Sequence, residues 1–179
     1  MIYTFIPFSI NKNIGDAYNR CMDLIGPGDW AAMLDHDCMF VCRDWYPLLL
    51  KAVKKYPQYG LFTCYANRVG TKVQRAPGVS AETHDILYHR QFAKKMGDKY
   101  KDGATDLRLE DKKRPKISGY FMLVSKKTWQ SIGGATRKGM SKIDWHIVQK
   151  CVKQGIKVAR IDGLYVYHYR RGLGEAGYG

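Results

Sequence analysis

Two carboxylates, Asp35 and Asp37, stand one residue apart at the end of the apolar run Trp30-Ala31-Ala32-Met33-Leu34. If that run is a strand, side chains at i and i+2 share a face, and both acids converge just past its carboxyl end. Ligands of open α/β sheets bind there. Two hard oxygen donors so placed suit Mg²⁺ or Mn²⁺ holding a phosphate-bearing ligand. The competing reading is a plain turn, for which Asp is equally suited. His36 lies between the acids and points the other way on a strand, so it packs or lies at the outer side of such a ligand.

The remaining reactive residues are scattered. Cys21, Cys38, Cys42, Cys64 and Cys151 are odd in number and form no CxxC pair, which argues against a disulfide framework and a thiolate zinc site. Cys38 and Cys42 read as small buried hydrophobes. A reducing, cytoplasmic compartment is the simplest expectation. His84 and His89 fall in a loosely patterned segment and read as surface residues, and His146 reads as packing or solvent-facing.

The chain of 179 residues carries a formal net charge of +14 and is 45% hydrophobic, enough for one domain with a substantial core. No apolar run approaches the ~20 residues of a membrane span. The surplus charge attracts polyanions, whether nucleic acid, an anionic surface or a phosphorylated substrate. It crowds at Lys94, Lys95, Lys99, Lys101, Arg108, Lys112, Lys113, Arg114 and Lys116. There it is interleaved with Asp98, Asp102, Asp106, Glu110 and Asp111, which favours a solvated loop over a nucleic-acid face.

The positioning elements follow from periodicity. Residues 2–7 predict a strand ended by Pro7. Asn11 or Asn13 opens a helix with Ile14, Ala17, Tyr18, Cys21, Leu24 and Ile25 at helical spacing, ended by Gly26-Pro27-Gly28. Asp44 caps a second helix with Trp45, Leu48, Leu49, Ala52 and Val53 inward, and Tyr59 to Tyr65 is a strand. From Asn67 to Pro115 the pattern loosens around one weak helix, Asp85 to Met96. Ile117 to Val124 predicts a strand, Ser125 to Ile132 a short helix and Ser141 the cap of another, stopped by Gly155. Two strand-like runs, 156–161 and 164–169, close the series. Strands alternating with helices predict a single α/β domain over 1–171, with a basic insertion at about 67–116 and a flexible Gly-rich tail over 172–179.

Several segments together resemble family 2 glycosyltransferases of the GT-A fold. Asp35-His36-Asp37 is similar to that family's DxD motif, and Asn13-Ile14-Gly15-Asp16-Ala17-Tyr18-Asn19 to the helix before it. Ile117 to Gly134 resembles the downstream strand–helix–Gly-Gly segment. Asp144-Trp145-His146, Gly155 to Val158 and Val166-Tyr167-His168 resemble the acidic helix, strand and terminal histidine. The resemblance implies a GT-A-like mixed sheet flanked by helices, and transfer of a sugar from a nucleotide sugar, a UDP-sugar above all, to a saccharide or other hydroxyl acceptor.

Its residues carry over by position. Asp35, Asp37 and His168 would hold Mn²⁺ or Mg²⁺ on the diphosphate, whose departing charge the ion neutralises. Asp144 would be the general base, unless it merely favours a helix N-terminus. His168 is otherwise a histidine packed between Tyr167 and Tyr169. Asn13, Gly15, Asn19 and His36 would line the donor, Gly119 and Trp145 the acceptor. Trp45 and Trp129 read as core rather than sugar platforms. Asn67, Arg68 and Gln74 follow a strand end and are positioned to touch either substrate. The family's base-reading strand is missing between residues 7 and 13, so base recognition falls to Pro7, Phe8, Ser9 and Asn11, or is lost. Competing classes are a basic nucleic-acid binder, a two-metal nuclease or nucleotidyltransferase, and a transferase fold without activity.

Overall fold

The structure is a computed structural model that describes residues 1–110 and 116–169. Among these, seven strands form one mixed sheet: β1 (Ile2–Phe5), β2 (Trp30–Leu34), β3 (Cys38–Phe40), β4 (Tyr59–Ala66), β5 (Ala104–Asp106), β6 (Phe121–Ser125) and β7 (Lys157–His168). Their order is β1-β2-β6-β4-β7-β3, and β5 pairs β7 off that path. β1 runs parallel to β2 and β4 parallel to β7, while β6, β3 and β5 run against their neighbours. The carboxyl ends of β1, β2, β4 and β7 therefore share one end of the sheet with the starts of β3 and β6.

Both faces are covered, which explains why β2 and β6 read as unbroken apolar runs rather than alternating ones. Ala31 and Met33 join a core with Tyr18 and Met22 of α1 (Ile14–Asp23), Trp129 of α5 (Lys126–Ser131), and Ile143, Ile147 and Val148 of α6 (Ile143–Lys153). Ala32 and Leu34 point the other way, towards Leu49 and Ala52 of α2 (Trp45–Lys55). Helix α5 starts where Ser125 Oγ accepts the Thr128 N–H at 3.0 Å, and it ends at Gly133 and Gly134, both in the left-handed region.

A third layer comes from the segment expected to be loose. It holds α3 (Ile86–Tyr100) and α4 (Leu107–Glu110) besides β5. Asp85 Oδ1 accepts the Leu87 N–H at 2.8 Å to start α3, which packs Ala93 and Met96 on Tyr65, Tyr165 and Tyr167. The weak apolar stripe of α3 misled because half of its partners are tyrosines, whose rings bury while their hydroxyls need acceptors. His89 supplies one: it is fully buried, bonded to the Tyr165 hydroxyl at 2.7 Å, and is no surface residue. His84 is exposed yet bonds the Tyr167 hydroxyl at 2.7 Å.

Other expectations change in detail. The two final strand-like runs are one strand, bent by a register shift against β4 between Cys64 and Tyr65. The expected strand from Ile117 begins only at Phe121. Leu24 leaves the helical stripe and is 75% exposed. Helix α6 is preceded by Lys142 in the left-handed region rather than capped by Ser141. Lys112, Lys113, Arg114 and the Gly-rich tail lie outside the described residues.

Gly163 sits inside the bend of β7, where an added Cβ would fall on the Lys101 carbonyl oxygen. Lys101 itself is left-handed, at φ 49°, so the opposing chain has little room to retreat. Gly163→Ala should lower the unfolding free energy by about 1–3 kcal/mol in a urea titration. Gly28→Ala, with open space around it and no positive φ, should stay within about 0.5 kcal/mol of wild type.

Candidate functional site

Strand β2 ends at Leu34, and the acids occupy the turn that follows. The Asp35 N–H donates to the Tyr120 carbonyl at 2.9 Å, and the Cys38 N–H closes the turn on the Asp35 carbonyl at 3.1 Å. Asp35 and Asp37 therefore do not share a strand face as alternation would require. Their convergence has another cause. The turn feeds β3, which pairs antiparallel with β7 so that Cys38 lies opposite His168. The Tyr169 N–H then donates to the Asp37 carbonyl at 2.8 Å. The result is Asp37 Oδ2 lying 3.4 Å from His168 Nε2.

His168 is held from two sides. Asn67, 1% exposed, accepts the His168 N–H at 2.8 Å and donates to its carbonyl at 3.3 Å. Asn67 thus continues the β4–β7 ladder with its side chain. The His168 ring stacks on Tyr120, centroids 5.4 Å apart and planes within 22°. Its Nδ1 is buried without a partner among the described residues.

Asp144 arrives on the first turn of α6, where an acid is favoured. Its Oδ2 accepts the Gly119 N–H at 2.8 Å and its Oδ1 accepts the Trp145 N–H at 2.7 Å. The approach is so close that a Cβ on Gly119 would lie 2.8 Å from the Asp144 Cβ. Each carboxylate oxygen retains a lone pair for a further donor. Trp145, 38% exposed, stands beside it.

The charges of these groups reach one another. Burial pushes the Asp35 carboxyl up from 3.8, Asp37 and Asp144 push it further, and His168 and His36 pull against them. At Asp37 burial also pushes upward, but the bond and charge of His168, with His36, prevail and hold it below 3.8. Tyr18, beneath the cluster in the core, is raised far above the usual phenol by burial and then by Asp35 and Asp144. Asp35, Asp37, Asp144 and His168 thus form one electrostatic unit at the shared end of the sheet.

Among the described residues, one group of three potential ligands has all its donor atoms within 4.8 Å of one another: Asp37, Cys38 and His168. The donor set, an oxygen, a sulfur and the imidazole nitrogen Nε2, fits a divalent ion. Asp35 lies in the same turn, outside this group of three but close enough for its charge to couple to Asp37 and His168. Cys38 was missed because no cysteine spacing announces a site completed by a strand 130 residues away.

The expected donor-lining residues divide. Pro7, Phe8 and Ser9 follow β1 at the same end of the sheet. Phe8 is 75% exposed, while Ser9 Oγ is committed to the Asn13 N–H at 2.9 Å. Asn13 Nδ2 bonds Asp16 at 2.5 Å. His36 is exposed at the tip of the turn. Gly15 is needed for packing, since its Cβ would lie 2.6 Å from the Arg137 carbonyl oxygen. Asn19 is a clamp: Nδ2 donates to the Ala135 carbonyl at 2.9 Å, while Oδ1 accepts from Ala135 N–H and Trp129 Nε1 at 3.0 and 3.1 Å. Gln74, expected near a substrate, is fully buried and ties Thr63 to Ser118 at 2.6 and 3.0 Å. Trp45 stacks on Phe40 at 4.2 Å and Trp129 is buried, both in the core.

An acid whose folded-state pKa is raised costs stability once it ionises. The cost is absent below 3.8, where the carboxyl is protonated in both states, and complete above the folded-state value. Asp35→Asn removes it, so the variant should unfold at higher urea than wild type at pH 7. That advantage should shrink to nothing as pH falls towards 3.8; an advantage equally large at low pH would contradict the charge origin.

No family model matches the chain, and no curated protein matches it in sequence.

Proposed function

We propose that the protein is a metal-dependent inverting glycosyltransferase of the GT-A type, taking a nucleotide sugar, a UDP-sugar above all, and a saccharide or other hydroxyl acceptor. The observation that carries the reading is Asp37 lying 3.4 Å from His168, with Asp35 in the same turn and Asp144 near enough for its charge to reach Asp35. The mixed α/β sheet with helices on both faces is the architecture that resemblance implies.

Asp37 and His168 hold the ion, with Asp35 adding negative charge beside it. The ion, when bound, offsets charge appearing on the departing diphosphate. Asp144 accepts the proton of the attacking hydroxyl as that oxygen displaces the diphosphate from the opposite face, which gives inversion. Two backbone N–H groups fix the carboxylate's direction before the acceptor arrives, so no reorientation is needed during reaction. Gly119 permits that placement, and the exposed face of Trp145 offers an apolar surface to a sugar ring. Phe8, exposed after β1, offers a similar surface to the nucleotide base.

The test is thermal unfolding with Mn²⁺ and each of UDP, GDP, CMP and their sugars. One nucleotide at a hundred times its Kd should stabilise the fold by about 2.7 kcal/mol, only with metal, and not in Asp37→Ala. Asp144→Asn should keep that shift and lose roughly 10²–10⁴-fold in kcat. Absence of any nucleotide shift, together with salt-sensitive nucleic-acid binding unchanged in Asp37→Ala, would overturn the assignment.

A further inference from the structure

We infer that Cys38 is a third ligand, and that Asp37, Cys38 and His168 form an oxygen–sulfur–nitrogen tripod for a borderline ion, Zn²⁺ or Co²⁺, in preference to Mg²⁺. The inference rests on the ion-site part of the proposed function and not on sugar transfer. Cys38 and His168 are directly opposed across the β3–β7 pair, so their side chains stand on one face. Cys38 Sγ lies 3.9 Å from Asp37 Oδ1, and His168 Nε2 lies 3.4 Å from Asp37 Oδ2. The first is a sulfur hydrogen bond at its outer reach and the second a long, weak one.

They are close to what an ion needs. Donors at ~2.0–2.3 Å from a tetrahedral centre stand roughly 3.3–3.8 Å apart. Drawing the three atoms from within 4.8 Å to that spacing takes side-chain torsions only, since the backbone of all three is pinned. His168 is 8% exposed, and the ring nitrogen that it turns towards Asp37 is Nε2.

The donor types set the preference. Mg²⁺ demands near-octahedral oxygen ligands and binds thiolate and imidazole poorly. Zn²⁺ and Co²⁺ accept S, N and O together, and three protein ligands leave one position open to solvent or a phosphate oxygen. On binding, the Cys38 S–H bond breaks and its proton passes to solvent, so each ion taken up releases one proton.

The test titrates metal-stripped protein with Co²⁺ and reads its absorption. Wild type should show the intense visible bands of a tetrahedral ion and a near-ultraviolet thiolate-to-cobalt band. Cys38→Ser should lose the latter, and Cys42→Ser should keep both. A weak octahedral spectrum in wild type, or a thiolate band surviving in Cys38→Ser, overturns the inference. Wild type alone gives a second reading should that variant not fold. Zn²⁺ should raise the unfolding temperature at concentrations at least tenfold below those at which Mg²⁺ acts, and equal potency overturns the preference. Neither readout involves a nucleotide, so failure of the transferase assignment leaves this result to be judged separately.

Discussion

The site depends on one carboxamide. Asn67 leaves the end of β4 and grips both backbone polar groups of His168, donating to its carbonyl and accepting from its N–H. Parallel strands are joined by evenly spaced slanted bonds, and this pair ends its ladder at Ala66 opposite Val166. Without the clamp, the last residues of β7 would be paired on one edge only, by the three-residue β3. With it, His168 has a fixed height along the sheet, and every group that meets His168 inherits that position. Losing such a buried partner leaves two backbone groups desolvated, at about 1–3 kcal/mol each.

The acids are held against their own repulsion. Asp35 is raised by burial and by two carboxylate neighbours, while Asp37 a turn away is lowered by His168. One group of the pair therefore pays the cost of proximity and the other gains from it. Tyr18 sits beneath both Asp35 and Asp144 and cannot ionise to relieve or worsen the field. The rest of the interior treats charge differently. Arg160 and Asp162 of β7 are both buried, bonded to each other at 2.8 Å, with Thr105 completing the carboxylate at 2.6 Å. A paired buried charge is structural by this standard; the acidic cluster sets two imidazoles, His168 and His36, against three carboxylates.

The helices and the paired core strands were legible because their signals are local. Alternating faces of Ala31, Ala32, Met33 and Leu34 lie within five residues, and Ser125 caps α5 three residues from its partner. The spacing of Asp35 and Asp37 marked a strand end correctly, but a turn and not a strand face carries the two acids. β3, β5 and the clamp by Asn67 were not legible. Three-residue strands have no period to detect, and the partners of Cys38 and Asn67 lie 130 and 101 positions away. Asn19 and Gly15 show the converse. They fit a family pattern by position, yet their side chain and missing side chain are already explained by packing on residues 129–137.

The charge of the whole chain and the charge of the site have opposite signs, and that combination narrows what can bind. With 30 basic against 16 acidic side chains, the distant field draws anions in. That field fades over about 8–10 Å at physiological salt. Inside that range an arriving phosphate meets Asp35, Asp37 and Asp144 and is repelled. Under the proposed function, a divalent ion seated between a diphosphate and the carboxylates would reverse the local sign, and affinity for a small phosphorylated ligand would then depend on metal far more steeply than on bulk salt.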